Sequence, residues 1–407
     1  MVIAIKKYVS QFNKNLWILS LGWFVSALGF AISIPFIAIY FHAELALTMT
    51  QIGLFFGAMA IVRSTFQIVG GEISDRLERQ RLLFFAQLFR SGAFLLLALT
   101  IFEKWSFWPV AIVLLINSIF GGIFQPVANA MVSDILPAKK RLDGYAITRT
   151  TGNLGWAVGP AIGGFLAGYS YGLLFVISSL ITFISAMIIG IFLKTPKTTR
   201  VAEHFKFSDI IAVKDDPYLV RHSILIFLLY LVVAQLIAPF SVYAVDMVKI
   251  SEHQLGLLYT LNGLLVVLLQ IPVTKLLSRY KLTIQLALGA LIYVVGYSMV
   301  GIFVGFHYFV LAIIVVTFGE IIMSPASLTL TSHLAPKGRI GRYMGIFGFF
   351  VAFGWSFGPL YGGVILDHFG NSPAIAWILI SSLALISGIG YLFFTRMLPE
   401  KYNMKER

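Results

Sequence analysis

An ionised side chain at the centre of a bilayer costs on the order of 3 kcal/mol even on a lenient scale, so each one implies a partner, a wet cavity or a change of protonation. Four residues of this chain lie deep inside long apolar runs: Arg63, Arg90, Arg149 and Glu320. Glu320 stands in Gly319-Glu320-Ile321-Ile322-Met323-Ser324-Pro325. Burial disfavours the charged form of a carboxyl, which suits such a group to carry a proton; a glutamate held for helix packing is the competing reading. Arg63 and Gln67 are four residues apart, as are Arg149 and Asn153, so each pair shares a helix face and is expected to line a substrate cavity. Tyr230 and Gln235 are expected to join them. Arg63 could attract an anionic substrate or neutralise Glu320. Arg90, only about nine residues into its run, is read as reaching the headgroups, an escape also open to Arg149.

The elements that must hold these residues are apolar helices. Of the 407 residues 59% are hydrophobic and 12% charged, against about a quarter charged in soluble domains. Twelve runs reach the roughly 20 residues that cross a hydrocarbon core, and the first is too long for a cleavable signal and is expected to stay in the mature protein. The net charge of +13 does not point to nucleic acid, because 25 of the 30 Lys and Arg fall at the termini and in alternate loops, with only Lys104 and Lys249 opposite. By the positive-inside rule both termini are expected in the cytoplasm, which an even number of spans allows. There is no phosphate-binding Gly-rich loop ending in Lys-Ser/Thr, no cysteine, and no metal or triad spacing among the seven histidines. No cofactor, metal or enzymatic activity is expected.

The chain is also written twice. Gly155-Trp156-Ala157-Val158-Gly159-Pro160 returns as Gly354-Trp355-Ser356-Phe357-Gly358-Pro359, 199 residues on, and Pro126 falls on Pro325 at the same offset. At an offset of 203, Gln51-Ile52-Gly53-Leu54 matches Gln254-Leu255-Gly256-Leu257, Gln67 matches Gln270 and Arg76 matches Arg279. Duplication in so apolar a chain marks two repeats with a site between them. The expected division is 1–193, a polar linker at 194–219, part of which could lie on the membrane as an amphipathic helix through Phe205, Phe207, Ile210 and Ile211, and 220–407. Gly155, Gly159 and Gly163, and Gly354, Gly358 and Gly362, recur every four residues and give each half one smooth helix face beside a bending proline, as an interface that forms and breaks would need.

These features resemble the major facilitator superfamily along the whole chain. The glycine-proline motif of the fifth run is similar to the signature of its proton-coupled antiporters, drug exporters above all, and Gly71-Glu72-Ile73-Ser74-Asp75-Arg76-Leu77-Glu78-Arg79-Gln80-Arg81 resembles its loop 2–3 motif, with Glu78 where the family has a second glycine. The resemblance implies an all-α fold of twelve transmembrane helices in two pseudo-symmetric six-helix bundles. It also implies a gating latch built from Gly71, Asp75, Arg76 and Arg79, with Arg76 facing Asp134, and assisted by Gly155, Gly159, Pro160, Gly163, Gly358, Pro359 and Gly362. Antiporters of the family carry an arginine in the fourth span where this chain has Asn117, four residues before Gly121. The function implied is secondary transport of a small organic compound by alternating access, proton-coupled export first. Uptake or facilitated passage of an anionic metabolite is the alternative, and a membrane sensor that has lost flux is more distant. The expected setting is the inner membrane, the expected state a monomer, the energy source a proton gradient.

Overall fold

The structure is a computed structural model that describes residues 11–137, 140–194, 216–336 and 340–404, without the side chains of Asp75, Leu142 and residues 340–342. The body of the linker, with its expected amphipathic segment, lies outside the described residues, as does the Asp75 side chain on which the expected latch turns.

Twelve long helices follow one another among the described residues. They are α1 (Lys14–Ala43), α2 (Met49–Arg76), α3 (Arg79–Phe102), α4 (Phe107–Ile135), α5 (Arg141–Ala167), α6 (Tyr171–Phe192), α7 (Pro217–Met247), α8 (Glu252–Leu277), α9 (Leu282–Ile302), α10 (Phe306–Leu334), α11 (Ile340–Phe369) and α12 (Pro373–Met397). Eleven are long and apolar enough to cross a membrane. The exception is α5, whose 27 residues include Arg141, Asp143, Arg149 and Asn153. Its polar residues lower its hydropathy because one of its faces lines a cavity.

Helix starts are chemically marked. Thr48 and Gln51 exchange side-chain bonds with each other's backbone N–H (2.9 and 3.2 Å), and Ser251 and Gln254 do the same (3.0 and 3.2 Å). Each is a capping box that satisfies donors left over at a helix N-terminus, so the glutamines repeated at 203 residues open α2 and α8. Asp216 opens α7 by accepting from the Tyr218 and Leu219 N–H groups, with Pro217 as its first residue. α7 is not continuous: a 3-10 turn at Ala234–Leu236 precedes Pro239, which cannot donate to the ladder, and the helix ends in a π turn at Tyr243–Met247.

The chain forms two compact units: residues 1–40, 59–202 and 251–263 in unit 1, and 41–58, 203–250 and 264–407 in unit 2. The repeat shows within them, since α3 packs on α4 and α6 in unit 1 as α9 packs on α10 and α12 in unit 2. The glycine stripes serve this internal packing. A side chain at Gly155 would come within 2.8 Å of the Leu28 nitrogen and the Phe24 carbonyl, and Gly159 and Gly163 lie as tightly on Ala31 and Ile32, so α5 is seated on α1. Gly354 and Gly358 seat α11 on Tyr230, Leu231 and Ala234 of α7 in the same way.

Different glycines join segments from opposite halves of the sequence. In unit 2, Gly53 of α2 lies against Pro359 and Leu360, with space for no side chain (2.5 Å to the Leu360 Cα), and Gly363 lies against the Met49 carbonyl. In unit 1, Gly256 of α8 lies against the Pro160 carbonyl and Gly164 against the Glu252 carbonyl. The two duplicated motifs are thus seated crosswise, each glycine-proline segment on the helix start of the other half.

Candidate functional site

Unit 1 encloses a cavity of about 670 Å³, within the range of small-molecule sites. Its charged lining is three arginines from three helices, Arg63 of α2, Arg90 of α3 and Arg149 of α5, and among the described residues no aspartate or glutamate lines it. Amides come from Gln125, Asn129 and Asn153, and aromatic surface from Trp23, Phe30, Phe124, Tyr145 and Trp156.

Phe30 organises the centre. The guanidinium carbons of Arg63 and Arg90 are each 5.4 Å from its ring centroid, a cation–π distance, and Trp156 meets the same ring edge-on at 5.7 Å. Two cations around one ring are no more than about 11 Å apart; at that distance they repel by roughly 1.5 kcal/mol at an effective dielectric constant of 20. Arg90 is 4% exposed. Its Nη1 donates to the Ser26 hydroxyl at 3.2 Å and to the Gln87 side-chain oxygen at 3.4 Å, while Gln87 itself donates to Ser26. The buried Nε of Arg90 has no hydrogen-bond partner among the described residues. Gly121 makes room for the guanidinium, with the Nε 3.5 Å from where a β-carbon would stand, and Asn117 donates to the Arg90 carbonyl at 3.4 Å. The charge that the family places on the fourth span enters here from the third.

Arg63, Arg149 and Asn153 are thus brought into one cavity, and Gln67 reaches its wall through a 3.4 Å bond to Gln125. Arg149 and Asn153 are exposed, Arg63 partly so. Arg90 was missed because its depth along the helix suggested the headgroups. The signal was its partner Gln87, three residues earlier on the same face, which an arginine bound for the headgroups does not need.

Unit 2 holds the other expected residues. Gln235 corrects the cavity reading: it is fully buried, and its amide donates to the Leu231 carbonyl and, at 2.8 Å, to the Gly358 carbonyl. Gly358 and Gly362 leave a slot beside the break in α7, and Gln235 fills it. Tyr230 is half-buried beside Trp355, with ring centroids 6.2 Å apart. Glu320 is half-buried on α10, next to Gly319, which packs on the Tyr293 ring.

The loop between α2 and α3 also differs from expectation. Arg76 pairs with Glu72 one turn back on an exposed face at 2.8 Å, and Asp134 is held instead by Arg79 at 2.6 Å, with both side chains under 10% exposed. Arg79 begins α3 facing the last turn of α4, where it also donates to the Ala130 carbonyl at 2.9 Å. Arg76 ends α2 pointing away. Among the gating residues expected from sequence, Gly71 has open space around it, whereas Pro160 and Pro359 take part in the crosswise seating.

At the other end of α2, Asp367 of α11 accepts the N–H groups of Met49 and Thr50 at 2.9 and 2.7 Å. A carboxylate at a helix N-terminus is favoured by both the free donors and the helix dipole. It lies beside the seating of Gly363 on Met49 and fastens α2 to α11.

Known proteins place this architecture. The chain is 29% identical to an uncharacterized MFS-type transporter, YttB, of Bacillus subtilis, over 92% of this chain and 93% of that one. It is 23% identical to a Na(+), Li(+), K(+)/H(+) antiporter of Planococcus maritimus over 97% and 98%, and 23% identical to the quinolone resistance protein NorA of Staphylococcus aureus over 89% and 92%. A crystal structure of the nucleoside transporter NupG superposes with a TM-score of 0.78 at 12% identity, covering 93% of this chain and 99% of that one. The sequence model of the Major Facilitator Superfamily matches residues 19–248 and 223–407. With twelve helices, a twofold repeat and a match of this extent, the chain belongs to the Major Facilitator Superfamily and is a membrane transporter, not an enzyme.

Proposed function

We propose that this transporter exports a small organic compound in exchange for protons, acting by alternating access from the inner membrane with both termini in the cytoplasm. The observation that carries the reading is the crosswise seating of the duplicated motifs: Gly53 on Pro359 and Leu360, Gly256 on Pro160. Such contacts set backbone against backbone with few side-chain bonds beside them, Asp367 on the Met49 and Thr50 N–H groups and Tyr171 on Glu252 among the described residues, so few bonds need break for them to part. In the transport cycle these contacts close and open in turn. Substrate is bound in the unit 1 cavity and the proton is carried by Glu320, the acidic residue within α10. The antiporter and drug-resistance relatives support export, and no cofactor is called for.

The test is flux in proteoliposomes. Export driven by an imposed pH gradient, and loss of that dependence in Glu320→Gln with substrate binding retained, are expected. Flux indifferent to the gradient in the parent protein would refute proton exchange. The arginine-lined cavity favours one second reading, uptake or facilitated passage of an anionic metabolite; in that case substrate is taken up in the direction of proton flow, or equilibrates without regard to the proton gradient.

A further inference from the structure

Resting on the proposed transport reading, we infer that the cargo of the unit 1 cavity is a soluble amphipathic organic anion, its carboxylate, sulfonate or phosphate held among Arg63, Arg90 and Arg149 and its apolar body laid on Phe30 and Trp156. Three observations converge on this assignment. Among the described residues the cavity lining holds three guanidinium groups and no carboxylate to balance them. Arg63 has no hydrogen bond or ion pair among the described residues, so its donors remain for a ligand. Arg90 is fixed in place by Ser26 and Gln87, which orients its fork before any ligand arrives.

A structural arginine deep in a membrane protein is ordinarily paired. Here the missing counter-charge is supplied by the cargo, whose paired oxygens on one centre match the guanidinium fork. Trp156 and Phe30 meet edge-on and offer a ring face beside the charges, which selects an aromatic or branched aliphatic body. A bulky lipophilic cation would meet the same three like charges and be repelled. The assignment also fixes the electrical signature of exchange: one monoanion leaving as one proton enters moves two positive charges inward, whereas one monovalent cation leaving for one proton moves none.

The probes are phenylbutyrate, phenylbutylamine and phenylbutanol, titrated calorimetrically into the full chain in phosphatidylcholine nanodiscs. Phenylbutyrate is expected to bind at least tenfold more tightly than the other two, with Arg63→Gln and Arg149→Gln each weakening it about tenfold and Arg149→Lys recovering part of the loss. Arg63 is half-buried and Arg149 exposed, so their variants are expected to keep the fold; Arg90→Gln, at a buried site, is read only if its melting temperature matches the parent. Equal or tighter binding of phenylbutylamine, or binding of phenylbutyrate within twofold of the parent in the Arg63→Gln/Arg149→Gln double variant, overturns the inference. The titration is repeated with phosphatidylglycerol in the nanodisc. Unchanged affinity supports a soluble cargo, and a tenfold loss assigns the arginines to a lipid headgroup and overturns it.

Flux separates this inference from the transport reading. Arginine-dependent phenylbutyrate binding without gradient-driven transport supports the anion site and removes the exchange. Gradient-driven, electroneutral export of phenylbutylamine does the reverse.

Discussion

Replacing Asp367 by alanine is expected to shift the protein toward the state in which α2 and α11 have parted. The carboxylate accepts two N–H groups of the first turn of α2 at 2.7 and 2.9 Å. Loss of a side-chain cap costs about 0.5–2 kcal/mol, and loss of a negative charge beside a helix N-terminus about 0.3–1 kcal/mol at an exposed site. Asp367 is exposed, so the lower halves of both ranges apply and the total is about 1–2 kcal/mol. The helix itself keeps its own capping box at Thr48 and Gln51, so the loss falls on the contact and not on α2. Only the joined state contains the contact. The ratio of parted to joined molecules therefore rises between about fivefold and thirtyfold.

The assay exploits the absence of cysteine from the chain. Leu54 and Val364 are exposed positions on α2 and α11. Changed to cysteine and spin-labelled, they report the separation of the two helices as a distance distribution. In Asp367→Ala a longer component is expected to grow by the stated factor, and in Asp367→Asn, which keeps one acceptor and loses the charge, by less. A distribution whose components change by under twofold in Asp367→Ala, in protein with parental melting behaviour, would falsify the claim that this carboxylate fastens the contact.

Other perturbations follow from the same geometry. Asp134→Ala strands the buried Arg79 guanidinium and is expected to destabilise the protein by about 3–5 kcal/mol in chemical unfolding, with the Arg79→Met/Asp134→Leu double variant recovering much of it. His222 is buried, with its ring nitrogens at 3.0 Å from the Thr331 hydroxyl and 2.9 Å from the Tyr391 hydroxyl. His222→Phe leaves the Tyr391 hydroxyl without that partner and is expected to lower stability by about 1–3 kcal/mol while phenylbutyrate binding in unit 1 is retained, a split that thermal unfolding and calorimetry resolve together. At the C-terminal end, the hydrogen bond and charge of Lys281 hold the exposed Glu400 carboxyl below its ordinary value. A lowered value means that the contribution is present above the ordinary glutamate range near pH ~4.3 and fades as pH falls below it. The melting difference between parent and Glu400→Gln is accordingly expected to be small at neutral pH and to vanish in acid.

The helices were legible because their signals are local and strong: apolar runs of spanning length, prolines and glycines at fixed offsets, alternate loops rich in Lys and Arg. The capping boxes were equally legible as Thr48-x-x-Gln51 and Ser251-x-x-Gln254, although the sequence comparison registered the glutamines only as a repeat. What could not be read was the rotation of each helix about its axis. Period alone does not say whether a stripe such as Gly155, Gly159 and Gly163 faces a helix of the same half or the other, and it faces α1. Gln235 illustrates a second limit, because the break after Val233 turns its amide into the Gly358 slot. Arg79 and Arg76 illustrate a third: three residues around a tight connection decide which arginine meets Asp134, and spacing along the chain does not contain that turn.

The repeat offers a physical account of how two copies of one bundle came to hold opposite charges. At the offset of 199 that aligns Pro126 with Pro325, Gly121 falls on Glu320; at the offset of 203 that aligns Gln67 with Gln270, Arg90 falls on Tyr293. In unit 1 the guanidinium of Arg90 occupies the space beside Gly121, and in unit 2 Gly319, the neighbour of Glu320, packs on the Tyr293 ring. The same meeting of the third and fourth helices of a half therefore carries a fixed cation over a glycine in one copy and an acid beside a phenol in the other. Arg63 and Arg149 have uncharged counterparts as well, Val266 and Gly348. A fixed cation suits a group that must hold an anion in every cycle. An acid beside a phenol suits one that must change charge. Interchanging the residues by Gly121→Glu with Arg90→Tyr would place an acid and a phenol in unit 1 and remove one of its three cations, and such a variant is expected to lose phenylbutyrate binding by tenfold or more while its uptake of protons on acidification increases.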